Sequence, residues 1–272
     1  MLDKVVSLTE LARRISDGSS IALGGSFLHR GPFALVRALA RRGARDLEVV
    51  KPSPGYDLDL LARVGAVSRA KAGIVAIEAG FGLAPSYRKA VETGVLRLEE
   101  HACMTLVAGL RAAAAGVPFT PVAGVLGSDL IALNGWHTMR DPYGSGREVV
   151  VVPAIQPDVA VIHANEVDEL GNARVYGSPH WDRIMTRSAK RVLVTAEKLV
   201  TTDHLAQRPE LTLVPHFMVE AVAIVANGAW PGSLHPSYGV NFDAVAAYLA
   251  VDDDALERHL ERAPEARETV RV

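Results

Sequence analysis

Several things are scarce in this chain, and each scarcity narrows what it can be. Its 272 residues include one cysteine, which excludes an internal disulfide and a cysteine-based zinc cluster. The nine histidines form no HxH or HxxxH pair, so no metal site is expected. Neither sign of charge is in real excess. With 29 basic and 31 acidic residues the net charge is −2, and no basic surface for nucleic acid is expected. No apolar run is long enough to span a bilayer, so no membrane partner is expected. The opening segment MLDKVVSLTELARRISDG has no apolar h-region and reads as no secretory signal, so a reduced cytoplasm is the expected setting. A GxSxG elbow, a Walker loop and a GxGxxG fingerprint are also missing.

What is present is a globular composition, 49% apolar and 22% charged, in a chain long enough for a substantial core. Strand-like and helix-like segments alternate. Helices are predicted over 9–15, with Ser7 as N-cap, over 32–42, 58–64, 84–93 and 99–115. Strands are predicted at 20–23, 46–50, 72–77, 148–152, 159–162, 191–195 and 219–225, several nearly all apolar, as buried parallel strands are. Residues 119–146 are rich in glycine and read as an irregular insertion. The prediction is α/β: one doubly wound domain over 1–250, an open and mostly parallel sheet flanked by helices. Residues 251–272 would form a charged C-terminal helix and tail.

The richest stretch is DGSSIALGGSFLHRGPFALVRALARR, residues 17–42. A short apolar strand runs into Gly24-Gly25, where a chain without Cβ atoms can turn sharply and approach a ligand. Pro32 suits the first helical position. Ligands of open α/β sheets bind beyond the carboxyl ends of strands. Four such loops carry polar residues here: 26–30, 51–57, 78–82 and 163–172.

Gly24, Gly25, Ser26 and Phe27 would shape a backbone cradle, with N–H groups of 25–27 facing an oxyanion. Arg30 would either anchor a carboxylate or phosphate, or make a surface salt bridge. Gly80 and Asn165 would add to the surface of the same pocket. Glu78, at a strand end, is a candidate working carboxylate. Glu99 and Glu100 would open a helix and suit its dipole. Cys103 on that helix has no histidine placed to activate it, and His163 would orient its loop rather than catalyse. This is half of an active site, without a convincing nucleophile.

The same residues carry a resemblance. DGSSIALGG with Arg30 and Pro32 resembles the opening motif of family I CoA-transferase α subunits. DPYGSGREVVVVPAIQPDVAVIHANEVDELGNA, residues 141–173, is similar to that family's longer central stretch, and AAAAGVPFTPV, residues 112–122, to its helix end. The likeness extends over about residues 5–245 and is nearest to glutaconate-type α subunits and to steroid ring-cleaving CoA hydrolases. It implies the NagB/RpiA/CoA-transferase-like fold and a homologous β subunit in a heterodimer or heterotetramer.

It also implies that a glutamate of the β subunit is the nucleophile, forming a glutamyl-CoA thioester between an acyl-CoA and a carboxylic acid. CoA is then a substrate, and no cofactor is implied. In the hydrolase-like branch the catalytic glutamate belongs to the α subunit, on the helix corresponding to 99–115. Cys103 falls near that position and Glu100 would have to substitute. The alternatives are therefore an acyl-CoA hydrolase, with ring opening by C–C hydrolysis as one form of it, and a non-catalytic ligand-binding protein on the same fold.

Overall fold

Strands such as SIAL and VAVI are apolar on both faces, so they can be satisfied only between two layers of helices. In the computed structural model, which describes residues 4–78 and 80–261, that is where they lie. The first half of the chain runs α1 (Leu8–Arg13), β1 (Ser20–Leu23), α2 (Phe33–Arg41), β2 (Leu47–Lys51), α3 (Tyr56–Arg63) and β3 (Val67–Ala72). A small hairpin, β4 (Ala76–Ile77) and β5 (Gly82–Leu83), leads to α4 (Pro85–Glu92), β6 (Arg97–Glu100) and α5 (Cys103–Ala114). Then come β7 (Phe119–Val122), α6 (Leu130–Asn134), β8 (His137–Arg140) and β9 (Glu148–Pro153). The second half holds β10 (Val159–Asp168), β11 (Ala173–Arg174), α7 (Asp182–Ser188), β12 (Arg191–Val200) and α8 (Thr202–Ala206). It closes with β13 (Thr212–Val214), β14 (Val219–Ile224), α9 (Phe242–Ala250) and α10 (Asp253–Glu261).

Seven strands form the parallel sheet, in the order β6-β3-β2-β1-β10-β12-β14, with β11 and β13 added antiparallel beside the far end of β10. The first half of the chain builds outward from β1 on one side. The second half builds from β10 on the other. The switch point therefore falls between the C-terminal ends of β1 and β10, where open sheets leave a crevice for ligands. Ile21 and Leu23 pack into the core beneath α1–α4, while Ala22 faces the cluster under α5 and α7. Each buried leucine or isoleucine contributes about 1.5–3 kcal/mol.

Several expectations are corrected. The strand predicted at 72–77 is Val67–Ala72, and Ala76–Ile77 belongs to the small hairpin. Its charges hid it: Arg69 pairs with Glu48 and Lys71 with Glu99, both on neighbouring strands. Glu99 and Glu100 end a parallel strand, and α5 starts only at Cys103. Pro32 sits at the cap of α2 rather than inside it.

The strand at 148–153 is not part of the parallel sheet. It pairs antiparallel with β7 and β8, so the segment read as irregular is an ordered three-stranded sheet. Val150 and Val152 bury one face of it with Trp136, which explains an apolar strand outside the main core. Ser7 does cap α1, accepting from the Glu10 N–H at 3.1 Å. The tail predicted beyond α10, 262–272, lies outside the described residues. No helix among the described residues is long and apolar enough to cross a membrane.

Candidate active site

The loop after β1 is built from backbone conformations that side chains resist. Gly25 has φ +73°, and Phe27 and Arg30 also lie in the left-handed region at φ 47° and 56°. Two buried ion pairs hold it there. Asp182, at the start of α7, accepts the Gly25 N–H at 2.8 Å through Oδ1 and the Arg30 guanidinium through Oδ2. Lys51, at the end of β2, donates to the Gly24 carbonyl at 2.9 Å and to Asp57 at 2.6 Å. Asp57 also accepts the N–H groups of Gly55 and Leu58, both at 2.9 Å. A Cβ on Gly24 would meet the Asp182 carboxylate at 2.8 Å, so the glycine lets the chain lie against that carboxylate.

The expected oxyanion donors are used otherwise. The N–H of Ser26 donates to the His29 carbonyl at 2.9 Å, and that of Phe27 to the Ser53 carbonyl at 2.8 Å. With Gly25 bound to Asp182, all three N–H groups are taken up, one within the loop and two by neighbouring elements. Arg30 is 3% exposed and also donates to the Ser178 carbonyl at 3.1 Å. It braces the loop from beneath, a third use beside the two read from sequence. Asn165 is likewise engaged at both ends, donating to the His235 carbonyl and accepting the Tyr176 N–H, each at 2.8 Å.

What the loop shows to solvent is different. Ser26 and Phe27 are half-buried, and His29 is exposed. His29 bridges two other loops, to Ser233 Oγ at 2.7 Å and to Glu78 at 3.1 Å. Gly80, near Glu78, is exposed with open space around its Cα. His180 also belongs to this edge. Burial, followed by the positive charge of Arg30, pushes its imidazole down to about 4, so it is neutral at pH 7.

Cys103 is half-buried, its thiol donating to the Pro52 carbonyl at 3.4 Å and lying 3.9 Å from Ser53 Oγ. We expect Cys103→Ser to keep most turnover, because a hydroxyl can make the same contact to Pro52; complete loss in a steady-state assay would assign the thiol a chemical role. Glu99 is bound to His101 and Lys71, and a hydrogen bond from His101, with the ammonium beside it, holds its carboxyl at about 2. Glu100 is exposed at the C-terminal end of β6. Burial, with the Glu100 charge, pushes the Tyr87 hydroxyl of α4 up to about 12.

Beside the switch point, His163 is buried between Thr195 and Glu197, with both contacts at 2.9 Å. Glu197 accepts also from Tyr238 and from the N–H groups of Asn227 and Gly228. Burial alone would raise its carboxyl, but the bonds from His163 and Tyr238 hold it below the ordinary value. Among the described residues, no group of three or more histidine, cysteine or acidic side chains is placed to hold a metal ion.

Sequence reasoning gathered loops 26–30, 51–57 and 78–82 at one edge, as the structure has them, but missed Asp182, His180, Glu197, His29 and Ser233. All five lie far from their partners in the chain or on loops without a motif, so no local signal marked them.

Known proteins share this architecture. The family described as Coenzyme A transferase matches residues 5–224. The A subunit of glutaconate CoA-transferase from Acidaminococcus fermentans is 30% identical over 257 residues, 87% of this chain and 79% of that protein. The crystal structure of that transferase superposes with a TM-score of 0.86 at 28% identity, covering 90% of this chain and 83% of that one. The IpdA subunit of the cholesterol ring-cleaving hydrolase of Rhodococcus jostii is 34% identical over 246 residues, covering 87% of this chain and 83% of that protein. A crystal structure of a variant of the decarboxylase AibA/AibB superposes with a TM-score of 0.84 at 31% identity, covering 94% and 96%. The chain also spans 56% of the length of an uncharacterized protein of Archaeoglobus fulgidus, at 33% identity.

Proposed function

Since the chain belongs to the coenzyme A transferase family, we propose that it is the α subunit of a heteromeric CoA-transferase. It would pair with a homologous β subunit and move CoA between an acyl-CoA and a carboxylic acid. The acyl group would pass to a glutamate of that partner, and CoA would then form a glutamyl thioester there. The similarity to the A subunit of glutaconate CoA-transferase supports this.

The observation that carries the reading is the engagement of the carboxylates behind the glycine loop. Asp57 and Asp182 are buried in ion pairs, and Glu197 is surrounded by four donors. The side chains of Asp57 and Asp182 are fully buried and that of Glu197 is nearly so. These three carboxylates thus stiffen the wall behind the loop, Glu78 at its edge is paired with His29, and the acyl-accepting carboxylate would come from the partner. Binding energy from CoA would then be realised in the transition state, as a weak carboxylate nucleophile requires. Hydrolysis through an α-chain glutamate is less well supported, because Glu99, on the strand leading into that helix, is tied to Lys71 and His101.

The test is intact-mass spectrometry of the complex with its partner after incubation with acyl-CoA esters, with borohydride added to trap a glutamyl thioester. We expect the reduced adduct on a partner glutamate. CoA release without a partner adduct would overturn the transferase reading in favour of hydrolysis, and loss of CO₂ from the acyl group would favour decarboxylation.

A further inference from the structure

Three side chains from three loops meet at the open edge of the glycine loop. His29 Nε2 lies 3.1 Å from Glu78 Oε2, and His29 Nδ1 lies 2.7 Å from Ser233 Oγ. An ionised carboxylate only accepts, so the imidazole directs its Nε2–H to Glu78. The neutral ring is then left with a lone pair on Nδ1, and the Ser233 hydroxyl donates to it. Both ring nitrogens are thereby occupied. The one proton that His29 is placed to take is the one on Ser233.

The backbone, and not a chance of rotamers, sets this meeting. The Arg30 N–H donates to the Ser233 carbonyl at 2.7 Å, and the Ser233 N–H to the Leu28 carbonyl at 2.8 Å. Gly232 lies so close that a Cβ there would be 2.0 Å from the Leu28 carbonyl oxygen. Further along, Tyr238 and the N–H groups of Asn227 and Gly228 anchor the same segment to Glu197. His29 and Glu78 nevertheless remain reachable, with side chains 48% and 33% exposed.

We propose that Ser233, His29 and Glu78 form a serine–histidine–carboxylate relay that gives this chain an acyl-accepting hydroxyl of its own. Its substrates are acyl thioesters and other activated esters. This goes beyond the transferase reading and does not rest on it. In the forward step Ser233 Oγ bonds to the acyl carbon while His29 Nδ1 takes the hydroxyl proton. The C–S bond breaks, and the thiolate leaves with that proton from His29. Water, deprotonated by His29, then releases the acid and restores the serine, so one thioester and one water give one acid and one thiol. Ser233 and His29 are the catalytic residues of this step, and Glu78 is a positioning residue that holds the tautomer. The logic is that of serine hydrolases, recognised by geometry and roles.

The test is labelling of the full chain, with and without its partner subunit, by a fluorophosphonate probe, followed by peptide mass spectrometry. We expect an adduct at Ser233 that Ser233→Ala abolishes. His29→Ala should slow labelling about 100-fold or more, the scale of a lost general base. Glu78→Gln should slow it with an unchanged thermal midpoint, and Glu78→Asp should restore part of the rate. No adduct at Ser233, under conditions that label a known serine hydrolase, would overturn the proposal. So would an adduct that forms in His29→Ala at the unmodified rate. Failure here leaves the partner-glutamate trap untouched, because that readout sits on the other subunit.

Discussion

Replacing Asp182 with alanine will lower the thermal midpoint of the chain on the order of 10 °C. The carboxylate accepts the Gly25 N–H and the Arg30 guanidinium, and both partners are buried. Removing one member of a buried pair leaves an uncompensated charge, which costs about 3–5 kcal/mol. In a domain of this size each kcal/mol shifts the midpoint by about 2–4 °C. Asp182→Asn should lose less, since its amide oxygen can still accept the Gly25 N–H. Arg30 has two further acceptors, the carbonyls of His163 at 3.5 Å and Ser178 at 3.1 Å, which soften the loss without neutralising the charge. Differential scanning calorimetry decides the matter. A midpoint unchanged in Asp182→Ala would mean that the pair does not hold the loop.

Gly25→Val will remove most activity of the complex with its partner, with kcat/KM falling about 100-fold or more. A Cβ at Gly25 would sit 2.3 Å from the His29 carbonyl oxygen and 2.6 Å from the Arg30 carbonyl carbon, at φ +73°. Both obstacles are backbone, so the turn itself must move. A displacement of about 1 Å at a positioning loop can cost a factor of 10² in rate. Gly43→Ala is the control. It also has positive φ, +69°, but nothing within 4 Å of its would-be Cβ, so it should carry a backbone penalty of about 1 kcal/mol and leave turnover alone. Full activity in Gly25→Val would remove the loop from the site.

The two substitutions test different links. Asp182 acts on packing and energetics beneath the loop, whereas Gly25 acts on the loop's own path. Arg30 joins them: its φ of 56° belongs to the turn, and its guanidinium belongs to the ion pair. In the sequence alone, an arginine beside a glycine turn suggests anion binding. Buried opposite Asp182, it is a brace.

Much of the architecture could be read from local pattern. Segments 20–23, 159–162 and 191–195 are apolar on both faces, which only a two-sided core satisfies, and the double glycine after the first marks the crossover at the switch point. The helix at 84–93 and the Ser7 cap follow from equally local chemistry. Where the reading failed, the deciding partner was remote. Val67–Ala72 carries Arg69 and Lys71, which look solvated until Glu48 and Glu99 are laid beside them. RLEE has the composition of a helix start, and it became a strand because β3 offered it an edge. The segment 148–152 has the chemistry of a buried strand, and both kinds of sheet satisfy it.

The sequence by itself determined the class of fold, the order of its layers, the glycine turn at the sheet's edge and the family resemblance, because each rests on neighbours in the chain or on a contiguous motif. Only the tertiary structure decided which groups are held and which are offered. Asp182 lies 152 residues from Arg30 and Ser233 lies 204 from His29, and no periodicity records such a meeting. A charged or hydroxyl side chain becomes brace, base or nucleophile by what stands within about 3 Å of it, and that distance exists only once the chain has folded.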